Sequence, residues 1–158
     1  MRSTRDTVGV IVAVLGTEAV GGLSALAAGG DFSSYFDSLR RPPLTPPPVV
    51  FGPAWTALYL LMGVAVWLVW REGVTRQTGL ALGLFAAQLV LNFAWSLIFF
   101  GQHRLGAALL EIALLWLTIL ATIIAFWRVR RVAGALLLPY LAWVSLATYL
   151  NAGIWRLN

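Results

Sequence analysis

The chain has 158 residues, 60% of them hydrophobic and 11% charged, which is too little charge for a soluble domain, since such domains spend about a quarter of their residues on ionic side chains. It carries no Cys and no Lys, and His103 is its single histidine. Thiol nucleophiles, disulfides, thiolate-held metals, Schiff-base lysines, P-loops and multi-histidine metal sites are thereby excluded. The net charge of +5 sits in short arginine clusters between apolar runs, a pattern that suits orientation in a membrane better than binding of nucleic acid.

Five apolar stretches follow in chain order, at 8–28, 53–70, 79–100, 105–127 and 133–155. A span needs roughly 20 apolar residues, so five use about 100 and leave no room for a second domain. The connectors REGVTRQT (Arg71 to Thr78), GQHR (Gly101 to Arg104) and RVRRV (Arg128 to Val132) are short turns between antiparallel helices. Only the loop 29–52 is long, and RRPPLTPPP from Arg40 to Pro48 predicts an extended lid or a wrap over the bundle end. The expected fold is therefore an all-α integral membrane protein, a bundle of five transmembrane helices with a Pro-rich lid loop between the first two. Arg2, Arg5, Arg71, Arg76, Arg128, Arg130 and Arg131 fall on one side against Arg40, Arg41, Arg104 and Arg156 on the other. That bias predicts the N-terminus inside and the long loop outside. A bacterial cell membrane is the default location, with an outer membrane as the alternative. A cleavable leader ending near Ala25-Leu26-Ala27 is the lesser reading of the first stretch, which runs past the usual core length and carries Glu18.

Glu18 lies near the middle of that stretch, where a carboxylate is either functional or a hydrogen-bonded structural group facing Asn92 or Asn151. On the second span Trp55, Tyr59, Met62 and Val66 share a face. On the third, Gln88, Asn92, Trp95 and Phe99 do so, and amides too costly to turn toward lipid must serve as interhelical bonds or as polar anchors in a ligand cavity. The row Gly79, Gly83 and Ala87 lies on the opposite side of that helix from Asn92, which suits close approach by another helix or by a second copy of the chain. Glu111, nearer a span end, is expected to snorkel or to pair with Arg104. On the fifth span Trp143, Ala147, Leu150 and Asn151 share a face, and an indole above a small residue leaves space for a flat apolar ligand. Trp70, Trp127 and Trp155 stand beside Arg71, Arg128 and Arg156 and read as an interfacial aromatic belt.

Three strings, GPAWTALYLLMG from Gly52, AAQLVLNFAWSLIFFG from Ala86 and PYLAWVSLATYLNAGIWRLN from Pro139, resemble those of the tryptophan-rich sensory protein family, also called the translocator protein or TspO/MBR family, in order and spacing. The resemblance covers essentially the whole chain. It implies a five-helix bundle, usually a homodimer, with a cavity open toward the first loop. It further implies porphyrin-type ligands such as protoporphyrin IX and haem, isoquinoline and benzodiazepine ligands, no obligatory cofactor and no metal; animal relatives also bind cholesterol. Trp55 and Trp143 match the cavity tryptophans that some bacterial members link to light-dependent porphyrin breakdown, and Asn92, Ala147, Leu150 and Asn151 match other cavity or motif positions. Pro43-Leu44-Thr45-Pro46-Pro47 lacks the tryptophan usual before the loop's Pro-Pro, and Ala107 stands where animal members have Trp, which widens the pocket. The gap from Tyr149 to Arg156 is too long for a sterol motif.

The function expected from these residues is a membrane receptor holding a tetrapyrrole through Trp55, Tyr59, Gln88, Asn92, Trp95, Phe99, Trp143, Ala147, Leu150 and Asn151. Two alternatives remain: a light- and oxygen-dependent porphyrin-degrading enzyme working through Trp55 and Trp143, and a proton-coupled transporter working through Glu18.

Overall fold

The computed structural model describes residues 2–29 and 32–158. Its long elements are α1 (Arg2–Ala27), α3 (Pro48–Trp70), α4 (Arg76–Ser96) continued by a π turn (Leu97–Gly101), and α5 (Leu105–Val129), followed by α6 (Arg131–Leu136) and α7 (Leu138–Leu157), which together make the last span. A short helix, α2 (Phe32–Ser38), lies in the long loop. Among the described residues five helical segments are long and apolar enough to cross a bilayer, so the chain is an all-α membrane bundle.

Two of the differences from the boundaries read in the sequence have local reasons. The second span opens at Pro48, not Pro53. Proline is at home in the first turn, where its missing N–H would lack a partner anyway, and Pro53 is near enough to that end to be tolerated. The loop is therefore shorter than 29–52 and partly helical. At the other end of the chain, helical backbone begins at Arg131 but α6 and α7 divide at Leu137. Pro139 enters the first turn of α7, where it cannot donate back to α6.

Helix α1 packs along α3, α4 along α5, and α5 along α7, with α6 against α3 and α5. Glycines set the closest approach of α1 to α3. A Cβ on Gly63 would lie 2.5 Å from the Cα of Val14, and one on Gly21 would lie 2.6 Å from the Tyr59 ring. Across the same seam the Thr17 hydroxyl donates to the Tyr59 carbonyl at 2.7 Å. The turn into α4 uses Gly73 at φ +95° and a reciprocal cap in which Thr75 and Thr78 each satisfy the other's backbone N–H.

The long loop is strapped to the bundle end. Asn158 accepts from the Arg40 N–H at 3.0 Å and donates to the Arg40 carbonyl at 2.9 Å, while the Tyr149 hydroxyl donates to the Pro43 carbonyl at 2.9 Å. Pro42 lies so close to Gly153 that a Cβ there would be 2.6 Å from its ring. The proline run is thus a strap along α7, and the lid proper is α2.

Candidate functional site

Beneath α2, a cavity of about 550 Å³ opens between α1, α3 and α4, within the range of about 300–1,000 Å³ usual for small-molecule sites. Trp55 and Phe51 of α3, Trp95 of α4, Phe100 of the π turn and Phe32 of α2 give it aromatic walls. Glu18, Ser24, Tyr59 and Asn92 supply its polar groups, with Ser24 buried beside Tyr59. Phe32 closes the loop end, its ring 4.5 Å from Phe100 and 6.3 Å from Phe51. Gly22, Ala25, Gly52 and Thr56, all exposed, edge the cavity where α1 meets α3. This exposed edge lies sideways between two helices, while the lid's own aromatics border the loop end toward which the family resemblance implied an opening.

A chain of hydrogen bonds runs inward from the cavity floor. The Tyr59 hydroxyl donates to Asn92 Oδ1 at 3.0 Å, Asn92 Nδ2 donates to the Tyr140 hydroxyl at 2.6 Å, and that hydroxyl donates to Gln88 Oε1 at 2.8 Å. The chain ends with Gln88 Nε2 at 3.8 Å from the Met62 sulfur. Three helices are tied by it, which is how a bundle satisfies amides that hydrocarbon cannot. Asn92 both lines the cavity and belongs to this chain. Gln88, expected to meet a ligand, does not line the cavity: it is 1% exposed and held by Tyr140 one helical turn further in.

The remaining expected residues form a neighbouring group. Phe99, Trp143, Ala147, Leu150 and Asn151 line a small cleft of about 40 Å³ that shares Phe32, Phe51, Trp55, Trp95 and Phe100 with the main cavity. Trp143 sits behind the cavity wall, edge-on to Trp55 at 6.4 Å and to Phe51 at 5.7 Å. Trp95 joins the two spaces. Its indole N–H donates to Asn151 Oδ1 at 3.1 Å, and Asn151 Nδ2 in turn caps the Leu105 carbonyl at 3.0 Å.

Four aromatic residues of these two spaces escaped the sequence reading. The π turn brings Phe100 inward alongside Phe99, whereas a regular 3.6-residue repeat places only one of two adjacent residues on a face. Phe32, Phe36 and Phe51 supply the lid's aromatic surface, with Phe36 5.4 Å from Phe51. The i, i+4 spacing of Phe32 and Phe36 was the available signal. Leu44, in the Pro43-Leu44-Thr45-Pro46-Pro47 stretch, is 82% exposed with φ +67° and does not line the cavity. Glu111 does not pair with Arg104: both carboxylate oxygens are buried without a hydrogen-bond partner among the described residues. Gly79, Gly83 and Ala87 face outward from the bundle.

The model of the TspO/MBR family matches residues 10–156. The chain belongs to the TspO/MBR family. It is 40% identical over 137 residues to protein CrtK of Rhodobacter capsulatus, covering 84% of each chain. It is 41% identical over 131 residues to the human translocator protein, covering 82% of this chain and 78% of that one, and 44% identical over 127 residues to the tryptophan-rich protein TspO of Chlorobaculum tepidum, covering 80% of each. Within this TspO/MBR chain the matched stretch contains every residue that lines the cavity, Phe32 of α2 included.

Proposed function

We propose that this membrane protein is a receptor for a flat, mostly apolar ring ligand of the tetrapyrrole class, with protoporphyrin IX and haem as its first candidates and isoquinoline or benzodiazepine compounds as smaller occupants. The observation that carries this reading is one cavity of about 550 Å³ flanked by two indoles, Trp55 and Trp95, with a polar floor at Tyr59, Asn92 and Glu18. A flat ring entering sideways from the bilayer would meet aromatic faces from α3 and α4 and leave its polar edge at that floor. Aromatic contact contributes about 0.5–1.5 kcal/mol beyond burial, so Trp55→Leu weakens binding by about 2–12-fold. A Soret-band titration with protoporphyrin IX in detergent micelles measures this, together with Ala25→Trp, which fills the mouth. Unchanged affinity in both variants overturns the site.

The same reading has two copies pairing through Gly79, Gly83 and Ala87, and the N-terminus inside, which the arginine bias supports. A second reading, breakdown of the bound pigment in light and dioxygen, draws on the Trp55–Trp143 contact of 6.4 Å, which puts a second indole behind the one facing the ligand. Equal yields of product from the parent and from the Trp55→Phe, Trp143→Phe double variant remove the indoles from that chemistry. Glu18 on the cavity wall gives the transport reading its own test: proton-driven uptake of a lipophilic cation into proteoliposomes that Glu18→Gln abolishes.

A further inference from the structure

At the end of the bundle away from α2, a second and larger hollow of about 860 Å³ lies in the seam of α1 and α3, reaching Leu82 of α4. Its inner stretch is apolar, with Val12, Ala13, Val66 and Leu82. Its rim is ionic. Arg71 lies 4.7 Å over the Trp67 ring and 3.6 Å from the Asp6 carboxylate, whereas Arg5, also in the lining, makes no ion pair among the described residues. Where α1 meets α3 in this lining, Trp67 packs so tightly on Gly9 that an added Cβ would lie 2.7 Å from its indole nitrogen.

Arg5 and Arg71 stand at matching ends of the first two spans, so the rim lies at the membrane boundary and the apolar stretch lies within the hydrocarbon. An occupant must therefore have an apolar tail. Its head must also match the rim, where two guanidinium groups against one carboxylate leave one net positive charge, the complement of a single phosphodiester. We propose that this seam is a binding site for one anionic phospholipid, its phosphate between Arg5 and Arg71 and one acyl chain along Val12, Ala13, Val66 and Leu82. Asp6 sharpens the choice of head, because it offsets part of the positive charge and leaves no surplus for a more highly charged lipid. The site shares no lining residue with the cavity beneath α2 and stands whether or not that cavity takes a tetrapyrrole.

Native mass spectrometry of the full chain, released from micelles and titrated with dioleoyl phosphatidylglycerol, dioleoyl phosphatidylcholine or glycerol phosphate, tests the assignment. One phosphatidylglycerol per chain is expected, held about fivefold or more tighter than phosphatidylcholine, since a basic residue at a membrane surface contributes about 1 kcal/mol per anionic partner. Glycerol phosphate alone should not bind. Arg5→Gln, a change at an exposed position that leaves the fold alone, should cost about fivefold, and Ala13→Phe should remove the adduct by filling the seam. Unchanged phosphatidylglycerol affinity in both variants overturns the proposal, as does equal binding of glycerol phosphate. A two-chain mass that Ala13→Phe abolishes also overturns it, by giving the seam to a second copy.

Discussion

Tyr140→Phe deletes one oxygen from the centre of the bundle. The Tyr140 side chain is 1% exposed, and its hydroxyl is both the acceptor for Asn92 at 2.6 Å and the donor to Gln88 at 2.8 Å. The phenyl ring of the variant keeps its edge contact with Trp55, now 6.3 Å between centroids, so the loss is confined to two hydrogen bonds. Interhelical hydrogen bonds in membrane proteins average about 0.6 kcal/mol and reach about 1.7, which puts the cost near 1–3 kcal/mol. Reversible unfolding by dodecyl sulfate in mixed micelles, followed by circular dichroism, measures it. The companion variant Gln88→Leu completes a double-mutant cycle. Because Tyr140 and Gln88 are direct partners, the two changes together should cost less than their sum by about 0.6–1.7 kcal/mol. Strict additivity, or a loss below about 0.3 kcal/mol for Tyr140→Phe, would refute the account of this chain as a coupled network.

Two further expectations concern packing. Gly63→Ala sets a methyl 2.5 Å from the Val14 Cα, backbone that cannot swing aside, and should destabilise the α1–α3 seam by about 1–3 kcal/mol; Gly16→Ala, with nothing within 4 Å of the new methyl, is the control, and equal unfolding midpoints for the two would contradict the close-approach argument. Glu111→Leu replaces a carboxyl whose oxygens are buried without hydrogen-bond partners among the described residues, so it should stabilise by about 1–3 kcal/mol in the same unfolding assay, and a lowered midpoint would overturn the reading of Glu111 as an unpaired buried group.

The number of spans followed from hydrophobic length, which is a local property: the cost of unsatisfied backbone in hydrocarbon makes any long apolar run helical. The face shared by Asn92 and Trp95 was likewise legible, because 3.6-residue spacing fixes which side chains stack. Gln88 shows where that argument stops. Periodicity put it on the inward face, but which inward residues meet a cavity and which meet each other depends on the distance between helices, and this is set here by glycines on α1 and α3. Phe100 failed for another reason, since the π turn shifts register by one residue and a repeat-based reading carries on as though it had not.

The amino-acid sequence determined the solvent this chain belongs in, how many times it crosses, and which residues turn away from lipid, because each of these depends on composition and on spacing within a single helix. Only the tertiary structure decided that α2 closes the loop end, that the cavity opens sideways between α1 and α3, and that Tyr140 completes the hydrogen-bond chain begun by Tyr59 and Asn92. The α1–α3 seam and the hydrogen-bond chain rest on contacts between residues 33 to 48 positions apart, and no local pattern of apolar and polar residues encodes a meeting at that separation.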